Sequence, residues 1–198
     1  MRALVSCEYS GKVRDALIAR GVDAVSCDTL PTERPGPHYQ GDVRDILGEQ
    51  WDLLIAHPPC TRLCNSGVRW LHERDLWGEL DEAAEFFNLH LNATHIPRRA
   101  VENPIPHRYA VERIGRKPDQ IIQPWEHGHE EMKATGLWLE GLPPLMPSRV
   151  VGPPPRDKTA RQSWAKIHRA SPGPARWKFR STTYSGIAEA FAAQWCTQ

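Results

Sequence analysis

The run Trp51-Asp52-Leu53-Leu54-Ile55-Ala56 ends in His57-Pro58-Pro59-Cys60. Consecutive apolar residues without polar alternation read as a strand buried on both faces, which calls for a sheet covered on each side. The two prolines lack the N–H that a ladder needs, so they end the strand in a rigid corner. That corner presents Cys60 at the rim of the sheet, where α/β proteins bind their ligands. A thiol held there suggests a covalent nucleophile.

The flanking sequence supplies the other layers. Residues 3–7 read as a short apolar strand and Ser10-Gly11 as a turn. Val13 to Arg20 has helical spacing, with Val13, Ala16, Leu17 and Ile18 near one face, and Gly21 stops it. Asp23 to Asp28 is a second strand ending in an acid, and residues 30–40, with their prolines, form a loop. Gly41-Asp42-Val43-Arg44 opens another element. Leu80 to Thr94 fits an amphipathic helix. Arg99-Ala100-Val101 is a brief strand ending at Glu102-Asn103-Pro104, and Tyr109 to Ile114 is a short helix. Gln120 to Pro124 and Gly136 to Leu139 are two more strands with no helix between them, which suits antiparallel pairing. Ser185 to Trp195 resumes helical spacing. The alternation predicts an α/β fold with a mostly parallel central sheet and a C-terminal antiparallel strand pair.

The chain has 198 residues, enough for one domain with a full core. Its net charge of +1 excludes a global polyelectrolyte, but the distribution is uneven. Pro143 to Arg180 carries nine Lys/Arg against the single acid Asp157, whereas His72 to Glu85 carries six acids against Arg74. Five irregularly spaced cysteines do not make a disulfide framework and fit a reducing cytoplasm. Met1-Arg2 leads straight into an apolar strand, too short for a signal peptide, and no apolar run approaches the roughly 18 residues of a membrane span.

Three groups fall at predicted strand ends besides Cys60: Glu8-Tyr9-Ser10-Gly11, Asp28 and Asp42. A glycine turn followed by an acid at the next strand end suits a nucleoside cofactor, with the carboxylate on the ribose hydroxyls. The plain alternative is a turn and a surface acid. A zinc site built from Cys60 and Cys64 with His57 or with the His127/His129 pair lacks the second matching cysteine pair such sites carry, so no metal is expected. Glu102 ends the next strand and is the carboxylate that would share a rim with Cys60.

Pro58-Pro59-Cys60 and Glu102-Asn103-Pro104 resemble the two catalytic motifs of the cytosine-5 DNA methyltransferases, in the same order along the chain. Glu8-Tyr9-Ser10-Gly11 sits where that family has its S-adenosylmethionine turn. Asp28 and Asp42 sit where it has its ribose and adenine contacts. Gly128-His129-Glu130 to Lys133, with Thr135 and Leu137-Trp138-Leu139, is similar to its substrate-contacting motif, and Thr182 to Gln194 to its last motif. The likeness is greatest to small methyltransferase-like proteins of phages and prophages, over residues 3–140 and 180–195.

The resemblance implies a Rossmann-like S-adenosylmethionine-dependent methyltransferase fold over residues 1–198. It further implies S-adenosylmethionine bound by Glu8, Tyr9, Ser10, Gly11, Asp28, Asp42, His57 and Pro58, DNA as partner, and a bacterial or phage-infected cytoplasm. Cys60 would add to cytosine C6, Glu102 would protonate N3 and Lys133 would contact the base. Both groups are needed because C5 is too electron-poor to take a methyl group until a thiolate adds at C6. A silent nucleic-acid-binding protein, or the same chemistry on RNA or a nucleotide, is the alternative. The chain departs from the family in lacking the fuller Phe-x-Gly-x-Gly turn and in offering Lys133 and Thr135 in place of an Arg-x-Arg pair.

In place of a target-recognition domain stands the Pro-rich basic segment 143–178, expected as a long loop or extended arm. Arg156, Lys158, Arg161, Lys166, Arg169, Arg176 and Lys178 suit phosphate contacts, which carry affinity but little sequence information, so low selectivity is expected. Trp164 and Trp177 either stack on bases or pack on the domain. Cys64 to Trp70 is expected as a mobile loop, with Arg69 or Trp70 filling the gap left by a flipped base.

Overall fold

The computed structural model describes residues 1–174 and 176–196. Among these, one sheet is built from β1 (Arg2–Ser6), β2 (Asp23–Asp28), β3 (His38–Gln40), β4 (Leu53–Ala56), β5 (Arg98–Pro104), β6 (Gln120–Ile122) and β7 (Thr135–Glu140). Its order is β3-β2-β1-β4-β5-β7-β6. The first five strands pair in parallel, and β7 runs antiparallel between β5 and β6. This is the Rossmann-like sheet with a C-terminal antiparallel pair expected from the sequence.

Eight α-helices are described: α1 (Lys12–Ile18), α2 (Val68–Arg74), α3 (Trp77–Leu91), α4 (Arg108–Ile114), α5 (Lys158–Ser163), α6 (Lys166–Arg169), α7 (Arg176–Ser181) and α8 (Ser185–Trp195). The apolar run of β4 divides between two cores. Leu54 and Ala56 join Leu4, Val101 and Trp138 under Leu80 and Phe87 of α3 and Ala110 of α4. Leu53 and Ile55 join Val5, Ala100 and Leu137 under Val13 and Leu17 of α1 and Ile187 and Phe191 of α8. Each such fully buried aliphatic or aromatic side chain contributes about 1.5–3 kcal/mol. Helices on both faces explain why β4 shows no polar alternation.

From β1 the chain builds outward to β2 and β3, then returns to place β4 on the other side of β1. The β1/β4 boundary is therefore the switch point, and its crevice opens at Cys7 and His57, just beyond the two strand ends.

Several expectations need correction. The helix expected over 80–94 runs from Trp77 to Leu91, because Asn92 to Ile96 closes into tight turns. β3 falls inside the expected loop, since three residues show no readable alternation. Residues 64–70, expected as a loop, hold a 3-10 turn, Asn65–Gly67, running into α2. Gly67 permits this, since a Cβ there would lie 2.3 Å from the Thr61 carbonyl oxygen. The segment 143–178 is not simply extended: it holds α5, α6 and the start of α7. Helices of four to six residues are too short to show a period in sequence.

Candidate active site

At the end of β1, Cys7 adopts φ 56°, a left-handed conformation that costs a non-glycine residue free energy. The turn directs Glu8 inward. Its buried carboxylate accepts the Ser10 hydroxyl at 2.9 Å and the Val13 N–H at 2.8 Å, capping the start of α1. Gly11 precedes that helix with φ 70°, and a Cβ there would meet Arg14 Nη2 at 2.5 Å. Buried Tyr9 places its hydroxyl 3.1 Å from Ser181 Oγ. Glu8 and Tyr9, both expected at the cofactor, are thus already engaged by the protein.

Asp28 accepts the Leu30 N–H through one oxygen, and Asp42 accepts the Arg44 N–H and pairs with its guanidinium. The Arg44 N–H is the main reason that the Asp42 carboxyl sits below its usual range. Both charges reach Cys7. Burial pushes that thiol up to about 12 despite the Ser6 hydroxyl beside it, and Asp28 and Asp42 add to the rise. Asp28 retains a second carboxylate oxygen beside the switch point. That acceptor suits a ribose diol, so the rim fits a nucleoside-bearing cofactor on the chemistry of its carboxylates.

Across the switch point, His57 follows β4 and its Nδ1 lies 3.1 Å from Glu102 Oε2 on neighbouring β5. Burial would raise the Glu102 carboxyl, but the His57 hydrogen bond, the Lys133 charge and the Thr135 hydroxyl together hold it below its usual range. Lys133 lies just before β7, which pairs with β5, and its N–H donates to Gln123 Oε1 at 3.2 Å. Glu102 and Lys133 both act on the Cys60 thiol. The tertiary fold therefore gathers Cys60, Glu102 and Lys133, residues read separately from three segments. His57, Glu102, Lys133, Thr135, Thr183 and Tyr184 line a cavity of about 20 Å³ with Ile122, Ile187 and Phe191. That is room for about one water.

The basic segment folds back on this rim. Trp164 and Ile167 are buried, with the Trp164 carbonyl accepting the Met132 N–H at 2.7 Å and the Ile167 N–H approaching Glu131 Oε1 at 3.3 Å. Packing on the domain is thus the outcome for Trp164, whereas Trp177 is 54% exposed. Arg156, Lys158, Arg161, Lys166 and Arg169 are exposed on α5, α6 and their flanks, next in space to the segment that carries Lys133. Lys178 instead pairs with Glu33, and Trp177 lies 5.7 Å from the Tyr9 ring, so α7 straps across the β1–α1 turn. On α2, Arg69 and Arg74 cover the Trp70 ring at 4.1 and 4.4 Å.

Sequence reasoning assigned His57 to the cofactor and missed that it orients Glu102. Cys64 was read as a possible metal ligand and as the start of a loop, and Thr183 and Tyr184 carried no local signal. Among the described residues, no three His, Cys, Asp or Glu side chains gather to hold a metal ion, and no helix is long and apolar enough to cross a membrane.

No family model and no curated protein sequence matches the chain. Among solved structures it is similar to a protein described as a DNA modification methyltransferase encoded within an E. coli prophage, at 12% identity and a TM-score of 0.49, over 76% of this chain and 51% of that one. It is also similar to a triple mutant of Spodoptera frugiperda DNMT2, at 11% identity and a TM-score of 0.37, over 79% of this chain and 56% of that one. The chain spans about half the length of each of these structures.

Proposed function

We propose that the chain is an S-adenosylmethionine-dependent methyltransferase that modifies cytosine C5 in DNA through a covalent adduct on Cys60, with low sequence selectivity. The observation that carries this reading is the convergence of Cys60, Glu102 and Lys133 at adjoining strand ends beside the switch point. When bound, S-adenosylmethionine supplies an electrophilic methyl group. The rim at Asp28, Asp42, His57 and Pro58 holds it, and Glu8 and Gly11 shape the turn beneath.

Cys60 Sγ adds to C6, which moves electron density toward C5. Glu102, steadied by His57, takes up a proton from solvent as the incoming base displaces water from it, and passes that proton to the N3 edge. Lys133 neutralises charge developing on the ring. The small cavity means that the base enters by opening the wall of Thr135 and Tyr184. The exposed cations from Arg156 to Arg169 meet phosphates, with Arg69 and Trp70 near the vacated stack. Such contacts favour DNA of any sequence.

The decisive experiment incubates the protein with labelled S-adenosylmethionine and DNA containing 5-fluorocytosine, whose fluorine blocks loss of the C5 substituent and traps the adduct. A covalent complex on Cys60 is expected, absent in Cys60→Ser. A Cys60→Ser protein that methylates cytosine at the wild-type rate refutes the covalent role. Cofactor binding without transfer to any nucleic acid selects instead a silent binding protein. The strap of α7 over the cofactor rim is the observation that keeps this second reading in view.

A further inference from the structure

We infer that a second cavity, separated from the catalytic one by the first turn of α8, binds the phosphorylated ribose of a free nucleotide. The inference stands apart from the chemistry at Cys60.

This cavity has a volume of about 440 Å³, within the range of small-molecule sites, against about 20 Å³ beside Glu102. One side is a single face of α8, where Gly186, Glu189, Ala190 and Ala193 recur at three- and four-residue spacing. From Gly186 to Ala193 that face runs roughly 10 Å. Thr183, Tyr184 and Ile187 line the catalytic cavity, whereas Ser185, Gly186 and Glu189 line this one.

The opposite wall joins two segments that the fold brings together. The N–H groups of Ser148 and Arg149 both donate to the Glu126 carbonyl at 3.1 Å, and that of Val151 donates to the Trp125 carbonyl at 3.0 Å. His127 and Arg149 pair as neighbours in the resulting bridge. α8 rests directly on this wall, since a Cβ at Gly186 would lie 1.9 Å from the His127 carbonyl oxygen. The Gly186 N–H donates to His129 Nε2 at 3.0 Å, which leaves the proton of a neutral His129 ring on Nδ1.

The polar groups of the cavity are not consumed by the protein. Arg149, Arg20 and Glu189 are exposed, and none of them enters an ion pair among the described residues. Lys12, at the start of α1, donates to the Thr183 carbonyl just before α8 at 3.2 Å, and the two helices pack side by side. Arg20, just past α1, therefore sets a second positive charge toward the Ala193 end. His127 is buried, with Ser148 Oγ 3.0 Å from its Nδ1 and no partner for its Nε2 among the described residues. An orphaned buried nitrogen in a cavity wall points to a partner from outside the chain.

These groups select the ligand by charge. Arg149, with Ser148 and the two histidines beside it, suits a phosphate, which a guanidinium meets through two hydrogen bonds. Glu189, about one turn along α8 from Ser185, repels a bare anion but accepts hydroxyl donors, and a vicinal diol offers two. A sugar phosphate satisfies both signs. A phosphate inside a DNA strand does not, because its deoxyribose carries no free hydroxyl.

The test titrates ribose 5-phosphate, which lacks a base, into the full chain by calorimetry. Saturable binding of one equivalent is expected. In Arg149→Gln the affinity is expected to fall about tenfold or more, the loss of a charge-assisted contact. Glu189→Gln should move two probes in opposite directions, weakening ribose 5-phosphate and tightening inorganic phosphate. Asp28→Ala, at the cofactor rim, should leave the affinity unchanged. Arg149 and Glu189 are exposed, so both variants should keep the wild-type unfolding midpoint. No saturable binding to the wild-type chain, or equal affinity in Arg149→Gln, overturns the assignment. Loss of binding in Asp28→Ala puts the ligand on the rim and overturns it as well. Inorganic phosphate binding as tightly as ribose 5-phosphate makes the cavity a bare anion site and refutes the sugar. Displacement of ribose 5-phosphate by a single-stranded oligodeoxynucleotide without terminal phosphate, dependent on Arg149, makes it a DNA contact and refutes the free nucleotide. A protein that binds ribose 5-phosphate as expected but transfers no methyl group refutes the proposed function and leaves this assignment standing.

Discussion

His57 Nδ1 lies 3.1 Å from Glu102 Oε2, linking the Pro-Pro corner after β4 to the carboxylate in β5. The contact is largely shielded from water, with the two side chains 9% and 18% exposed. Replacing His57 with Ala is expected to destabilise the fold by about 1.5–3 kcal/mol, the range for a hydrogen bond to a charged group. His57→Asn, which retains an N–H donor, should recover part of that loss in denaturant unfolding. The pH dependence follows from the lowered Glu102 carboxyl. Its stabilisation is fully present above the ordinary value of 4.5 and disappears as pH falls through the lower folded value. Glu102→Gln should flatten the stability curve in that acid window.

His90 predicts a second acid effect. Its ring is buried, with Nδ1 donating to Phe86 O at 2.9 Å and Nε2 accepting from Ser6 Oγ at 2.8 Å. Burial lowers it from 6.5 to about 4, so the unfolded chain takes up a proton before the folded one does. The folded state therefore loses stability as pH drops from 6.5 toward 4, by at most about 3 kcal/mol. His90→Gln should be less sensitive than wild type across that interval, as measured by thermal unfolding in matched buffers.

The two tryptophans of the basic segment should separate stability from binding. Trp164→Ala empties a buried position and should cost about 3–5 kcal/mol in the docking of this segment, seen as faster proteolysis between 150 and 180. Exposed Trp177→Ala should leave the unfolding midpoint unchanged and weaken binding to single-stranded DNA by about 1–3 kcal/mol if its ring stacks on a base. Equal proteolysis in both variants would contradict the division.

At the first turn, Glu8→Ala removes the carboxylate that receives Val13 N–H and the Ser10 hydroxyl, with an expected loss of about 0.5–2 kcal/mol. Gly11→Ala should also destabilise, because φ 70° is unfavourable for Ala and the new Cβ drives into the Arg14 guanidinium. Cofactor affinity measured on the folded fraction tells whether Glu8 serves the ligand as well as the helix. An affinity equal to wild type assigns it to the helix alone.

Much of the fold was legible before any coordinates. Strand and helix patterns span a few neighbouring residues, and the unbroken apolar run of β4, the Pro-Pro corner and the paired final strands follow from local chemistry. Cys60 and Glu102 stood out because each residue type suited its motif, and Lys133 by its place where the family has an Arg-x-Arg pair. What the chain could not reveal locally was partnership. His57 meets Glu102 across 45 positions, and Tyr9 meets Ser181 across 172. The burial of Trp164, the pairing of Lys178 with Glu33 and the inward turn of Glu8 likewise depend on which surfaces the fold brings together. Charge is decided in the same way: the partners and burial that lower Glu102 and His90 come from segments distant along the chain. The sequence by itself determined the elements, their order and the reactive groups. The tertiary structure decided their partners and protonation, because donors and low-dielectric surroundings exist only once distant segments meet.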